Sequence, residues 1–340
     1  DFVVTATPEI PHALYADAIL TEFRHRAHRF DDKNLVSIYF GGGTPSLWAP
    51  KQIERIIYEI VGRYGNQHLQ EVTVEANPSA KLKLNLDEIA SAGVSRISLG
   101  VQTLNNETLR TLRRTHTNTD ALRDLEAILC HSSFRKTSAD LIYGLPGSSV
   151  ASVTKDAQKL CDLGVEHLSM YALTLEEGTP LTQSVRRNTS HVPSEEHVIE
   201  QAEAIWETVH NNGLVHYEIS SASVPGNEAI HNSLYWHQRG YLGLGVGAHG
   251  LEPAAQDGKL YEKWVFRENN RKVKRYVEDP IHCGQETFHN RTSWLQDLLI
   301  VRPRWLQGFH EEEIYAHTTE TEHIRIRREI RQLENEGILT

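Results

Sequence analysis

Cysteine is scarce in this chain. There are three in 340 residues, Cys130, Cys161 and Cys283. That is too few for a disulfide framework, which excludes a small secreted scaffold. They show neither Cys-x-x-Cys nor Cys-x-x-x-Cys spacing, so they fail as a metal or cluster site and read as structural. Methionine is scarcer still: Met170 is the only one, and the chain opens at Asp1 with no signal-peptide pattern. The expectation is a piece of a longer protein. Long apolar runs are missing too. None approaches the roughly 18 residues that a membrane-spanning helix needs. Nor is there a basic excess. Lys and Arg total 35 against 45 Asp and Glu, a formal net charge of -10, which argues against binding nucleic-acid phosphates.

What is present fits a globular protein with a sizeable core: 39% hydrophobic and 24% charged residues. Short β-rich runs recur at 35–40 (LVSIYF), 71–75 (EVTVE), 94–99 (VSRISL), 138–143 (SADLIY) and 167–175 (HLSMYALTL). Each ends in a loop, most of them marked by Gly, Pro or Asn. Between them lie segments of helical period at 13–26, 52–61, 106–113, 120–129, 152–163 and 195–211. Strands alternating with helices imply a parallel sheet with right-handed crossovers, either a barrel or a doubly wound sheet. A further strand is expected at 215–219. Residues 251–284 read as a polar, irregular linker or insertion. Residues 285–340 read as a small helical, winged-helix-like unit that stops where a wing would begin.

In parallel α/β architectures ligands gather at the carboxyl ends of the strands. Here those ends carry Gly41-Gly42-Gly43-Thr44, Glu75, Gln102, Asp140 and Ala172. A glycine loop lets backbone groups approach a ligand closely. Carboxylates and amides suit ribose hydroxyls, and Arg114 suits a carboxylate held bidentately. For any one of these residues alone, a turn glycine or a strand-end cap is the ordinary explanation. Their convergence at five strand ends favours a site. Gly245-x-Gly247-x-x-Gly250 matches a dinucleotide fingerprint by letter, but Leu251-Glu252-Pro253 breaks the helix it would require.

Nineteen histidines are many for this length. Most, such as His25, His28, His116, His131 and His210, sit in polar surroundings and read as surface residues. His231 differs, because Tyr235 and Trp236 follow it. Imidazole is a common axial ligand of haem iron. On the residues alone, Tyr235 and Trp236 as core with His231 as a loop donor remains the commoner arrangement. His249 is a weaker case of the same kind.

Taken in order, IYFGGGTPS, EANP, GVQ with Arg114 downstream, DLIYGLP, YALTL and GLGVGAHG resemble the radical S-adenosylmethionine (SAM) proteins related to oxygen-independent coproporphyrinogen III oxidase. The resemblance covers residues 1–250, and the C-terminal segment is similar to the small last domain of that group. The motif His231-Asn232-x-x-Tyr235-Trp236 is similar to that of the HemW-type haem chaperones. The resemblance implies an α/β fold, an incomplete (β/α)6 barrel. It implies SAM contacts at Gly42, Gly43, Thr44, Glu75, Gln102, Arg114, Asp140 and Ala172, and haem held through His231 with Tyr235 and Trp236 beside it. It also implies a [4Fe-4S] cluster on a Cys-x-x-x-Cys-x-x-Cys loop, of which this chain holds no cysteine. That motif is commonly followed by Asp-Phe, so Asp1-Phe2 are expected to stand just after it.

The function implied is a cytoplasmic haem-binding chaperone that passes haem to a recipient protein. A recipient in the respiratory chain would bring it to the membrane as a peripheral visitor. The alternative is an enzyme of porphyrin biosynthesis, an oxidative decarboxylase acting on coproporphyrinogen III. A barrel that binds SAM without turnover is the third reading. No nucleic-acid partner is expected.

Overall fold

Five β-branched and aromatic runs pair as the parallel core of one sheet: β1 (Ser37–Phe40), β2 (Glu71–Ala76), β3 (Arg96–Gln102), β4 (Lys136–Tyr143) and β5 (His167–Ala172). The computed structural model describes residues 11–79, 82–187, 189–254, 264–315 and 318–337. Two short strands, β6 (Val215–Glu218) and β7 (Ser221–Ser223), complete the sheet in the order β1-β2-β3-β4-β5-β7-β6. β7 runs antiparallel to both its neighbours.

Helices cover one face. They are α1 (His12–Arg26), α2 (Pro50–Tyr64), α3 (Leu82–Ser91), α4 (Asn106–Thr111), α5 (Asn118–Leu129), α6 (Val150–Asp162), α7 (Pro180–Arg186) and α8 (Glu195–Asn211). The local reasons are legible. Pro50 occupies the first turn of α2, where its missing N–H costs nothing. Ile53, Ile56, Ile57 and Ile60 then repeat at helical spacing and are buried. Each such side chain contributes about 1.5–3 kcal/mol on burial. Thr117 with Asp120 and Ser149 with Ser152 form capping boxes that start α5 and α6.

The sheet curls so far that one loop reaches both its ends. Residues 227–231 touch β1 through His231 and Ser37, β2 through Glu71, β3 through Arg96 and β6 through Tyr217. A flat sheet would set its first and last strands too far apart for one short segment to meet both. This is the incomplete barrel that the family resemblance implied, and it decides between the barrel and the doubly wound sheet that the strand–helix alternation left open. Its interior is unusually polar near the amino ends of the strands: Glu71, Arg96, Ser138, His167, Ser221 and Ser223 are all buried.

That interior seats the next helix, α9 (Ile230–Trp236). Glu71 accepts from the backbone N–H groups of Ile230 and His231, at 3.4 and 3.2 Å. These are donors that the first turn of a helix leaves unpaired. Arg96 Nε donates to Glu71 at 2.8 Å, and its Nη2 reaches the carbonyls of Asn227 and Glu228, each at 2.9 Å.

The stretch 251–284, expected as an irregular linker, carries regular structure. β8 (His249–Pro253), β9 (Trp264–Asn269) and β10 (Gly284–Phe288) form an antiparallel sheet, with α10 (Val273–Glu278) between the last two. Buried charges tie this polar segment to α1, beside the buried Val265 and Tyr276. Glu22 and Arg26 on α1 pair with each other, and Arg26 pairs with Glu252. Asn269 and Tyr276 donate to Glu22 at 2.7 and 2.6 Å, and Arg29 joins Glu252 to Glu286. Beyond lie α11 (Arg291–Val301), α12 (Glu311–Tyr315) and α13 (Glu320–Asn335). Trp305 bridges to Glu218 and extends the edge of the barrel sheet. The last residues of the chain, where a wing would begin, and the Asp1-Phe2 start lie outside the described residues.

Arg96→Ala leaves Glu71 buried without its partner. The expected loss is about 3–5 kcal/mol of stability, seen as a lowered urea midpoint. Arg24→Ala removes the surface pair with Glu59 and is expected to cost under about 1 kcal/mol. Equal effects of the two substitutions would refute this ranking.

Candidate functional site

All five parallel strands end at one rim, so the residues that follow them meet there. β1 ends at Phe40, and the chain turns through Gly41–Gly43, where Gly42 has φ +116°. Only glycine adopts that value without strain. Gly41 is needed for a different reason. A Cβ there would stand 2.6 Å from the Tyr39 ring and 3.2 Å from Glu75 Oε1.

Glu75 faces this loop from β2. Its Oε1 accepts from the Tyr39 hydroxyl at 2.6 Å and its Oε2 from the Gly42 N–H at 2.9 Å. Burial pushes the Glu75 carboxyl up, against the pull of these two donors. Asn77, just past β2, donates to Thr44 at 2.8 Å and accepts from Arg114 Nη1 at 3.5 Å. Arg114 is half-buried and has no carboxylate partner among the described residues. Burial lowers its pKa. A guanidinium in that state suits an external carboxylate.

On β3 the pairing register shifts between Leu99 and Gln102, and Gln102 takes φ +66°. A bulge and a left-handed non-glycine residue at a strand end re-aim the side chain. Gly100 leaves it room, since a Cβ there would lie 2.6 Å from Gln102 Nε2. Ser98 of β3 donates to Asp140 of β4 at 3.1 Å, and burial pushes the Asp140 carboxyl up to about 7. Ala172 pairs with Tyr143 at the end of β5 and is exposed at the rim, beside Tyr171. Gly42, Gly43, Thr44, Glu75, Gln102, Arg114, Asp140 and Ala172 therefore share one end of the barrel.

His231 lies on α9 against the inner face of β1. Ser37 and Tyr39, two residues apart on that strand, present the same face to it. The Tyr39 and His231 rings stack at 4.7 Å with 19° between planes. His231 Nδ1 bonds Ser37 Oγ at 2.9 Å and Nε2 bonds the Tyr235 hydroxyl at 2.8 Å. A neutral ring has one donor and one acceptor nitrogen, so one hydroxyl donates to it and the other accepts. Burial lowers the His231 pKa to about 4, which keeps the ring neutral at physiological pH. Tyr235 is a partner of the imidazole as well as an aromatic neighbour. Trp236 points elsewhere, under the Arg304 guanidinium at 4.6 Å.

Among the described residues no group of His, Cys, Asp and Glu is arranged to hold a metal ion. Cys130 is exposed, Cys161 half-buried and Cys283 buried, and they belong to separate parts of the fold. The residues of this chain thus do not fit a [4Fe-4S] cluster. His116 corrects the surface reading: it is buried, and its Nε2 has no partner among the described residues. His249 contacts Phe266 and is exposed. Gly245–Gly250 runs into strand β8 rather than a helix, against dinucleotide binding. Sequence reasoning missed Ser37, Tyr39 and Asn77. The alternation of β1 was the available signal for the first two.

Residues 10–160 match the family described as the Radical SAM superfamily. The heme chaperone HemW of Lactococcus lactis is 36% identical over 250 residues, covering 74% of this chain and 65% of that protein. HemW of Bacillus subtilis is 31% identical over 238 residues, 69% of this chain and 62% of that one. The mitochondrial radical S-adenosyl methionine domain-containing protein 1 of Mus musculus is 36% identical over 238 residues, 69% of this chain and 53% of its own length. The chain thus spans less than two thirds of the length of these relatives. The solved structure of Escherichia coli coproporphyrinogen III oxidase (HemN) superposes with a TM-score of 0.71 at 20% identity, over 90% of this chain and 71% of that one, a likeness of fold. The fold, the Radical SAM match and the HemW relatives agree: residues 10–160 belong to the Radical SAM superfamily, and the chain is similar to its HemW-type members.

Proposed function

We propose that this chain is the haem-holding and SAM-binding part of a haem chaperone. The observation that carries the proposal is His231, a neutral imidazole positioned by Ser37, Tyr39 and Tyr235 on a helix seated inside the barrel. A neutral ring nitrogen is what haem iron requires of an axial ligand. Haem would take His231 Nε2 as the Tyr235 hydroxyl turns away, with the Tyr235 ring at its edge and Trp236, expected beside it, turned toward Arg304. The relatives named as heme chaperones support the same role. The released haem would pass to a recipient protein, at the membrane surface where that recipient is a membrane protein. The described residues include no helix long and apolar enough to cross a membrane.

In this reading the rim holds SAM. Gly42, Gly43 and Thr44 would meet its amino group beside Glu75. Arg114 would take the carboxylate, Gln102 and Asp140 the ribose, and Ala172 would face the adenine. The donor set supports this, since a half-buried Arg114 with no carboxylate partner among the described residues and a backbone cradle next to a carboxylate suit an amino acid. SAM bound to a reduced cluster supplies radical chemistry in such barrels. What these residues contribute is orientation and charge.

Haem titration of the full-length protein, read by the Soret band, tests the first part. His231→Ala is expected to weaken binding at least tenfold. Tyr235→Phe frees Nε2 from a hydrogen bond worth about 0.5–1.5 kcal/mol, and is expected to tighten it up to roughly tenfold. Unchanged haem binding in His231→Ala would remove the axial ligand. Turnover of coproporphyrinogen III by the full-length, cluster-loaded protein would favour the decarboxylase reading instead.

Calorimetry with SAM tests the rim. Asp140 is half protonated near pH 7, and its ionised form is the better acceptor for ribose hydroxyls. Affinity is therefore expected to fall as pH drops from 8 to 6. Asp140→Asn should bind more weakly and lose that pH dependence. A flat profile in the unsubstituted protein would exclude this role for Asp140.

A further inference from the structure

One side chain touches both candidate sites, and the readings above use it only as a neighbour of His231. Tyr39 stacks its ring on His231 and donates its hydroxyl to Glu75 at 2.6 Å. The same carboxylate accepts from Gly42 in the glycine loop at 2.9 Å. The contacts run without a break from the loop, through Glu75 and Tyr39, to the imidazole. Gly41 keeps the middle of this path open, because any Cβ there would collide with the Tyr39 ring.

We propose that Tyr39 is a positioning residue that couples occupancy of the rim to haem binding at His231. The inference rests on the haem and SAM assignments above and adds the link between them. An ammonium group beside Glu75 attracts the carboxylate and holds it ionised and in place. A fixed, charged acceptor holds the Tyr39 hydroxyl more strongly than a mobile one. The Tyr39 ring is then fixed, and so is the plane of the imidazole stacked on it. His231 Nδ1 stays on Ser37, which leaves Nε2 as the nitrogen offered to iron. Ordering the ligand in advance removes part of the entropy loss that binding would otherwise incur. The two ligands therefore favour each other. Because the link is thermodynamic, each must tighten the other by the same factor.

Tyr39→Phe tests this, since it keeps the ring and deletes the hydroxyl that reaches Glu75. The full-length protein is titrated with haem, with and without saturating SAM, and with SAM by calorimetry, with and without haem. In the unsubstituted protein SAM is expected to tighten haem binding about fivefold or more, and haem to tighten SAM equally. In Tyr39→Phe both ligands still bind and the mutual tightening falls to within twofold. A merely structural role for Tyr39 would weaken haem binding whether or not SAM is present. Equal tightening in both proteins overturns the proposal, as does the absence of tightening in the unsubstituted one. His231→Ala separates the layers: unchanged haem binding there defeats the axial-ligand reading, whereas a lost Soret shift with coupling retained in Tyr39→Phe defeats only the link.

Discussion

The buried pair of Glu71 and Arg96 is the constraint on which the rest of this arrangement depends. Both side chains are almost fully enclosed, 3% and 1% exposed, in a barrel interior that apolar residues could have filled. Two charges removed from water are a poor source of stability unless every remaining donor and acceptor is used. Here they are used to fix the chain. Arg96 holds two successive carbonyls before α9, and Glu71 holds the first two N–H groups within it. A pair of apolar side chains would fill the space without specifying where α9 begins or how it is rotated. The rotation decides whether His231 faces β1, so the position of the imidazole is set by charge geometry deep in the barrel.

The opposite end of the barrel is governed by absence of bulk. Gly41 must lack a side chain because Tyr39 and Glu75 occupy that volume, and Gly42 must lack one because of its φ. Gln102 carries the strain that no glycine relieves. These positions sit where the sheet's hydrogen bonding stops and backbone groups become available to a ligand. The cost of unusual backbone there is sustained by the paired strands behind, whose buried Val74, Ile97, Leu99 and Ala139 leave little freedom.

Much of this was legible in the sequence, and the reasons for the misses are physical. The five parallel strands and most helices follow from β-rich runs, helical period and breakers, and the rim residues follow from where those strands must end. Helix α3 escaped because Lys81 to Asn85 alternates apolar and polar residues, a pattern that mimics a strand. The ordered sheet within 251–284 escaped because it is tied to α1 by the ion-pair network around Glu22, Arg26 and Glu252, residues some 230 positions apart that no local pattern joins. His116 read as a surface residue because its neighbours in sequence are polar, while the fold buries it. Tyr39 looked like one more aromatic strand residue, and its role emerges only when β1, β2 and α9 are brought together.

The partners of His231 bear on release as much as on capture. In the proposed role, haem must leave for another protein, and a buried imidazole abandoned by iron would be an unsatisfied polar group. Tyr235 lies one helical turn from His231, and its hydroxyl bonds Nε2 within the same short helix. That bond can replace the one to iron with no backbone movement, so the empty state is not penalised by an orphaned ring nitrogen. A deeper, drier histidine lacking such a partner would hold haem more tightly and give it up less readily. The helix therefore carries both the ligand and the group that substitutes for iron, at the four-residue spacing that brings two side chains onto one face.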